Sequence, residues 1–205
     1  MVPPHWLDWS RRIQALSQTG LAYSDNGFDT ERYQQLMNIA AEILESHTGL
    51  AKEPLVQDFL GQLGYATPKV DVRGAMVREG RILLVQEQID QHWAMPGGWA
   101  DIGDSPSEVV VREVWEETGL HVTPRKLIGV FDANRQPPFE VYHAYKLLFL
   151  CDIDSGTPGI SNETLDVGFF PFDDLPPLSL NRTSERNLAE VQAHLRDSQR
   201  AAAFD

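Results

Sequence analysis

The chain has 205 residues, of which 42% are apolar and 23% charged, and its 30 acidic against 17 basic residues give a formal charge of −13. The length favours one full domain plus a smaller one, and the apolar content excludes a disordered or collagen-like chain. The acidic excess argues against nucleic acid or an anionic membrane surface as a partner, because neither is attracted to such a chain at long range.

The cysteine content and the first residues bear on the compartment. Cys151 is the single cysteine, which excludes an intramolecular disulfide and fits a reducing environment. The first ten residues lack the basic segment and apolar run of a signal peptide, and no apolar run reaches the roughly 18 residues of a membrane span. We therefore expect a cytoplasmic protein in which Cys151 is a buried core thiol.

The first third of the chain is predicted to be helical. Apolar residues recur at helical spacing from Trp6 to Leu16 and again from Tyr33 to Leu44. Asp29 or Thr30 can cap the second of these helices. A third, shorter helix is expected from Pro54 to Leu63.

A domain boundary is predicted where the pattern changes from helix to strand. Gly and Pro residues in the segment 64–69 separate the helical region from one rich in strand signals. We therefore assign residues 1–66 to a small all-α domain and residues 67–205 to a second domain.

The second domain combines strands with two helices. The helices are predicted from about 106 to 118 and from about 184 to 198, and residues 201–203 are expected to fray. The predicted strands are 70–77 and 81–86, joined as a hairpin, followed by 92–95, 127–131, 141–152 and 167–170.

The helix at 106–118 has well-marked ends. Ser105 and Glu108 form a capping-box pair, and Pro106 stands at the favoured first helical position. Gly119 suits the left-handed residue that ends a helix. These local signals fix both ends of the predicted helix.

Three carboxylates, Glu113, Glu116 and Glu117, cluster on one side of this helix at about 100° per residue. Trp115 and the aliphatic residues cluster on the nearly opposite side, so we predict that this side packs and that the other presents the carboxylates. Like charges at this spacing destabilise a helix, and Mg²⁺ or Mn²⁺ would relieve the repulsion. A solvated acidic face is the alternative.

The segment from Gly98 to Leu120 resembles the signature box of the Nudix hydrolases, Gly-x5-Glu-x7-Arg-Glu-U-x-Glu-Glu-x-Gly-U, in which U is apolar. Every specified position matches except one, where Asp104 stands in place of Glu. The resemblance implies an α/β fold, an α/β/α sandwich around a mixed sheet. It also implies metal-dependent cleavage of a nucleoside diphosphate linked to another group X.

The box resemblance also implies roles for individual residues. Its metal ligands would be Glu113, Glu116 and Glu117, with the Gly97 carbonyl as a further one, and Mg²⁺ or Mn²⁺ as the cofactor. Arg112 would orient carboxylates without touching substrate. Asp104 is one methylene shorter than the box Glu, which puts any contact of that Glu in doubt.

Residues 18–24 and 29–33 are similar to the helical domain that precedes the Nudix fold in the CDP-choline and ADP-ribose pyrophosphatase group. This resemblance implies a homodimer and a small-molecule nucleotide substrate of the CDP-choline or ADP-ribose type. Hydrolysis of its diphosphate bond would give a nucleoside monophosphate and phospho-X.

Four residues other than the specified positions of the box are candidates for the site. Glu163 lies in a loop before the last predicted strand and can act as a general base. Glu140 is a weaker alternative for this role, and a solvated loop charge is the other interpretation of either residue. Trp99, beside the glycine pair, can stack on a base or line the pocket, and Tyr23 is a weaker substrate contact. Arg135 is a candidate phosphate contact, although a lone loop arginine is usually a surface residue.

Two other functions compete with this prediction. A nucleotide-binding sensor with little turnover would keep the fold and lose catalysis, but the nearly intact carboxylate set argues against it. A nucleoside triphosphate pyrophosphohydrolase would use the same box, and only the N-terminal resemblance speaks against it.

Overall fold

The computed structural model describes residues 3–135, 138–161 and 163–205. The chain forms two compact units. One comprises the residues up to Pro68 together with Asn134–His143, and the other comprises Lys69–Ala133 and Ala144–Asp205. The predicted boundary between residues 66 and 67 stays a prediction.

The first unit, called here the helical unit, contains three helices in its described part, α1 (His5–Tyr23), α2 (Gly27–Thr48) and α3 (Lys52–Gly61). Helix α2 is capped by Asn26, whose side chain accepts a hydrogen bond from the Asp29 N–H, so the expected caps Asp29 and Thr30 were wrong. None of the helices in the described ranges combines the length and apolar character that crossing a bilayer requires. The core of this unit consists of Leu7, Met37, Ala40, Ala41, Leu44 and Phe59.

The segment Asn134–His143 belongs to the helical unit although it is distant in sequence. Arg11 on α1 donates hydrogen bonds to the Val141 carbonyl, at 2.9 Å, and to Asn134 Oδ1, at 2.7 Å. The strand predicted at 141–152 therefore begins later, at Ala144, because its first residues pack on helices instead of pairing in the sheet.

The second unit, called here the sheet unit, contains two helices in the described residues, α4 (Pro106–Thr118) and α5 (Glu185–Arg196). Its strands there are β1 (Lys69–Arg78), β2 (Arg81–Glu87), β3 (Trp93–Ala94), β4 (Gly97–Trp99), β5 (His121–Asp132), β6 (Ala144–Ser155), β7 (Thr164–Pro171) and β8 (Ala203–Phe204). These strands form one mixed sheet in the order β3-β2-β1-β6-β5-β8, with β4 paired to β1 and β7 paired to β2. Two pairs are parallel, β1 with β6 and β5 with β8, and the other described pairs are antiparallel.

One helix covers each face of the sheet. Val110 and Val114 of α4 pack on Val72 and other residues of one face, and Leu188 and Val191 of α5 pack on the opposite face. The alternation of side chains along each strand supplies both apolar surfaces. The predicted α/β/α arrangement around a mixed sheet is confirmed.

The end of the chain is the clearest departure from the predicted elements. Residues 201–203 were expected to fray, but Ala203 pairs with Gly129 in a parallel ladder at the sheet edge. A Cβ at Gly129 would lie 2.8 Å from the Ala203 carbonyl oxygen, so glycine permits this approach. The Asp205 carboxylate then accepts a hydrogen bond from the Asp132 N–H and pairs with Arg186.

Candidate active site

Helix α4 begins and ends where its sequence predicts. The Ser105 side chain accepts a hydrogen bond from the Glu108 N–H, and the Glu108 carboxylate accepts one from the Ser105 N–H at 2.8 Å. Gly119 ends the helix in the left-handed conformation, with φ of 71°. The positions of the box carboxylates follow from this fixed helix.

The burial of α4 differs from the prediction. Glu113 and Glu117 are only 9% and 6% exposed, whereas Trp115, predicted to pack, is 52% exposed. The buried arc of the helix includes both carboxylates beside Val110 and Val114, because the helix turns them toward the glycine-rich strand β4 and away from solvent. A helical wheel separates two faces but does not say which one meets the sheet.

The two glycines of β4 make room for the helix. A Cβ on Gly98 would lie 2.6 Å from Glu113 Oε2, closer than any side chain allows. Gly97 has φ of 144°, and a Cβ there would lie 2.0 Å from the Val72 carbonyl oxygen. Gly97 therefore requires glycine for its backbone conformation and its approach to β1, and the missing side chain at Gly98 gives the Glu113 carboxylate its place.

The Gly97 peptide groups are available to the helix. Gly74 N–H donates to the Pro96 carbonyl and Ala100 N–H donates to the Val70 carbonyl, each at 2.9 Å. In the alternating antiparallel ladder this leaves Gly97 outside the bonds between β1 and β4. Its N–H donates instead to Glu117 Oε2 at 2.9 Å.

Arg112 lies at the centre of the charged rim of α4. Its Nη1 donates to Glu113 Oε1 at 2.7 Å and to Glu116 Oε2 at 3.3 Å. Its Nε lies 3.4 Å from Asp104 Oδ2, and its Nη2 lies 3.3 Å from Asp101 Oδ2. This guanidinium holds four carboxylates together.

The buried carboxylates are poorly compensated. Burial raises the pKa of Glu117 to about 8, and the charge of Arg73 and the Gly97 N–H offset this only in part. Burial also raises the pKa of Glu113, together with the charge of Glu116 and against the effect of Arg112. A nearby cation would favour the ionised form of both groups.

The donor set suits a hard cation, but its members do not converge. Carboxylate and carbonyl oxygens are the ligands that Mg²⁺ and Mn²⁺ prefer. Within the described ranges, no group of three or more His, Cys, Asp or Glu side chains is arranged to hold a metal ion. Arg112 engages Glu113 and Glu116, while Gly97 engages Glu117. The chemistry therefore fits a cation, whose binding would require these side chains to exchange partners.

The predicted general base reaches the same end of the helix. Glu163 and Glu116 line one open cavity of about 650 Å³, together with Trp115. The Glu163 N–H donates to Ser161 Oγ at 3.0 Å, which orders the loop that carries it. The remaining lining residues are Gly119, Gly159, Ile160 and Ser161.

Comparison with known proteins identifies the family. A model of the NUDIX domain matches residues 67–191, and a model of the UDP-X-like N-terminal oligomerisation domain matches residues 4–59. The chain belongs to the Nudix family. It is accordingly a Nudix hydrolase, as the box between Gly98 and Leu120 predicts.

Two relatives of this Nudix hydrolase, one matched over its whole length and one over part of it, have names that refer to ADP-ribose. YjhB of Bacillus subtilis strain 168, provisionally named an ADP-ribose pyrophosphatase, is 40% identical over 205 residues, covering 100% of this chain and 99% of that protein. The ADP-ribose pyrophosphatase of Methanocaldococcus jannaschii is 30% identical over 120 residues, covering 57% of this chain and 70% of that protein.

Two solved structures share the fold of this Nudix hydrolase. A UDP-X diphosphatase is 31% identical with a TM-score of 0.64, and the match covers 100% of both chains. An ADP-ribose pyrophosphatase from Streptococcus suis is 38% identical with a TM-score of 0.63, covering 68% of this chain and 100% of that one.

The other predicted site residues of the Nudix hydrolase are spread over both units. Trp99 follows the glycine pair on β4 and is half exposed. Tyr23, at the end of α1, and Arg135 belong to the helical unit, and both are exposed. Glu163, in the sheet unit, lines the same cavity as the box carboxylate Glu116.

A buried charge cluster beside the box was not predicted. Asp71 accepts from Arg73 at 2.9 Å and from Lys146 Nζ at 2.7 Å, and all three side chains are buried. Burial would raise the pKa of Asp71, but the two cations lower it overall. The alternation Val-Asp-Val-Arg at the start of β1 was the available signal, since it places two charges on an inward face.

Proposed function

We propose that this Nudix hydrolase cleaves the diphosphate bond of a nucleoside diphosphate linked to X, giving a nucleoside monophosphate and phospho-X. The observation that carries the proposal is the pair of buried carboxylates, Glu113 and Glu117, held against the Gly97-Gly98 backbone. Two relatives are named for ADP-ribose pyrophosphatase activity, and one solved structure for UDP-X diphosphatase activity, which supports a diphosphate-X substrate.

The cation site would use oxygen donors only. Glu113, Glu116, Glu117 and the Gly97 carbonyl would hold Mg²⁺ or Mn²⁺. A bound divalent cation neutralises diphosphate oxygens and makes water more acidic. Arg112 would release Glu113 and Glu116 in part while keeping them close to one another, since its Nη1 contacts both.

Glu163 is the proposed general base. Its place in the cavity beside Glu116 supports this role, because a base must lie within reach of the attacking water. The carboxylate takes a proton from water as the water oxygen bonds to phosphorus. The bridging P–O bond breaks, and its electron pair leaves with the departing phosphate oxygen.

Three residues are proposed as substrate contacts. Trp99 is half exposed beside the glycine pair, so its ring is free to stack on a base or to line the pocket. Tyr23 and Arg135 are proposed contacts from the helical unit. ADP-ribose and CDP-choline type substrates are both proposed, and the names of the relatives support ADP-ribose.

We further propose a homodimer formed through α1. Trp9, Leu16 and Tyr23 recur at seven-residue spacing on α1, and their side chains are 55%, 67% and 73% exposed. An exposed apolar stripe of this kind is typical of a helix that packs against another protein chain. The family described as an oligomerisation domain matches residues 4–59, which include this stripe. Light scattering of Leu16→Glu should report monomers where the parent protein is dimeric; equal masses would count against this interface.

We place the enzyme in the cytoplasm. Burial raises the pKa of the Cys151 thiol to about 12, which makes it an inert core group compatible with a reducing compartment.

Turnover of a substrate panel tests the proposed activity. ADP-ribose, CDP-choline, UDP-sugars and nucleoside triphosphates would each be incubated with Mg²⁺, with Mn²⁺ and with chelator, and the products separated by chromatography. We expect cation-dependent release of a nucleoside monophosphate from one diphosphate-X substrate. Faster cleavage of triphosphates would favour the pyrophosphohydrolase, and binding without turnover would favour the sensor.

A further inference from the structure

The backbone that leads into the glycine pair is held by side chains from two distant parts of the sheet unit. Met95 is fully buried, and its N–H donates to Thr183 Oγ1 at 2.8 Å. Its carbonyl accepts from Arg73 Nη1 at 3.2 Å. Both polar groups of this one residue are thus bonded to side chains.

The next two residues continue the same chain of bonds. The Pro96 carbonyl accepts from the Gly74 N–H, and the Gly97 N–H donates to Glu117. Hydrogen bonds therefore hold the backbone of each residue from Met95 to Gly97, and the bond from Gly97 is to Glu117, a proposed cation ligand. A displacement of Met95 would move Gly97, because only one residue separates them.

Thr183 is itself firmly placed. It is fully buried, and its N–H donates to the Ser179 carbonyl at 2.7 Å. Ser179 and Pro177 bond in turn to the two backbone groups of Trp93, at 2.8 and 2.9 Å, so the segment runs beside β3 like an added strand. The Thr183 hydroxyl therefore reaches Met95 from a rigid support.

Arg73 is equally constrained on the other side of Met95. Its Nε donates to Asp71 Oδ1 at 3.0 Å, and Asp71 is held in turn by Lys146. The Lys146 ammonium also donates to the carbonyl oxygens of Asn181 and Arg182, at 3.0 and 2.6 Å. Arg73 and Thr183 thus belong to one bonded network that closes around Met95.

We propose that Thr183 and Arg73 are positioning residues, which set the place of Gly97 and, through its N–H, the orientation of Glu117 for cation binding. This inference rests on the proposed function. Groups that orient metal ligands from outside the ligand set typically change affinity or activity about 10–100-fold when they are removed. Thr183 is the sharper test, because its hydroxyl can be removed at nearly constant volume.

The experiment compares Thr183→Val with Thr183→Ser. Mn²⁺ affinity is measured by electron paramagnetic resonance of the free ion, without substrate, and kcat and KM are measured at saturating Mn²⁺. We expect Thr183→Val to raise the Kd for Mn²⁺ and to lower kcat, each on the order of tenfold, with little change in KM. Thr183→Ser should retain the parent values because it keeps the acceptor oxygen.

A matched control separates positioning from loss of stability. Val191→Ala truncates a fully buried side chain of α5 in the same unit and should lower the melting temperature without changing the Kd for Mn²⁺. An unchanged Kd in Thr183→Val, or an equal loss in Thr183→Ser, would overturn the inference. If Thr183→Val does not fold, Arg73→Lys provides the same test, since lysine keeps the charge but cannot bridge Asp71 and Met95 as the guanidinium does.

The same data separate this inference from the proposed function. A parent protein that binds Mn²⁺ and turns over a diphosphate-X substrate, with a Thr183→Val variant that does both equally well, overturns the positioning role alone. A parent protein that binds no Mn²⁺ overturns both.

Discussion

Two buried carboxylates of the sheet unit differ in how their charge is compensated. Asp71 contacts two cations, Arg73 and Lys146, and its pKa is lowered in spite of full burial. Glu117 is buried almost as deeply, and its pKa is raised to about 8. The ionised form of Asp71 is fully compensated by its neighbours, whereas the ionised form of Glu117 is compensated only in part and would be favoured by a bound cation. Removing one partner of a complete buried pair is strongly destabilising, whereas carboxylates with strongly raised pKa values are common where ligands bind.

Breaking the complete cluster should have the largest effect. Asp71→Asn leaves Arg73 and Lys146 buried without their counter-charge, and we expect the free energy of unfolding to fall by about 3–5 kcal/mol. Urea denaturation at neutral pH measures it. The Asp71 contribution is present above the unfolded pKa near 3.8 and is lost as pH falls below it, because the folded-state pKa is lower. A loss under about 1 kcal/mol would contradict a tightly coupled pair.

Removing the incomplete charge should have the opposite effect on stability. Glu117→Gln is expected to lower turnover on the order of a hundredfold or more, because cation-mediated charge stabilisation is worth several kcal/mol. The same change should stabilise the cation-free protein at pH 8. With a folded-state pKa near 8 against 4.5 when unfolded, the Glu117 carboxyl makes the parent protein less stable as pH rises through that window.

Thermal unfolding in chelator between pH 5 and 8 tests this sign. The gap between Glu117→Gln and the parent protein should widen as pH rises. A parallel pair of curves would show that Glu117 is already ionised in the folded protein.

The two clusters also differ in how far the sequence could predict them. Helix α4 was predicted from its first to its last residue because its caps are local chemistry. The Asp71 cluster depends on the parallel register that places Asp71 beside Lys146, and nothing near either residue encodes that pairing. Local signals such as helix caps predict secondary-structure elements, whereas side-chain pairs between neighbouring strands can be predicted only when the strand order and register are known.

The same limit explains the misplaced face of α4 and the late start of β6. Burial of Glu113 depends on the absence of a side chain at Gly98, a tertiary match that a helical wheel does not contain. Val141 and Tyr142 have the β-branched and aromatic side chains typical of a strand but pack on helices. The box supplied the candidate carboxylates, and their contacts came only from the structure.

A side chain added at Gly98 tests how closely the Glu113 carboxylate packs against the backbone of β4. Gly98→Ala places a Cβ 2.6 Å from Glu113 Oε2, so the carboxylate must shift. Because the contact is with the far end of a flexible side chain, the change acts on the position of the carboxylate, and we expect turnover to fall on the order of tenfold. Steady-state kinetics of this variant beside Gly27→Ala, where a Cβ at the start of α2 meets nothing within 4 Å, give a control for a glycine-to-alanine change without a close contact. Equal activities of the two variants would show that the Glu113 carboxylate can move away from the added Cβ without loss of function.

The smallest effect is expected at the box position that differs from the family pattern. Asp104 Oδ2 lies 3.4 Å from Arg112 Nε, and both side chains are about one-third exposed. Arg112 also contacts Glu113 and Glu116, and these contacts do not depend on the residue at position 104. Exposed ion pairs contribute about 0–1 kcal/mol, so Asp104→Glu should change turnover by no more than about fivefold. Kinetics of Asp104→Glu and Asp104→Asn at saturating Mg²⁺ measure this. A gain well beyond that limit in Asp104→Glu alone would mean that the added methylene brings a carboxylate to the cation or the substrate, and that this chain works with an incomplete ligand set.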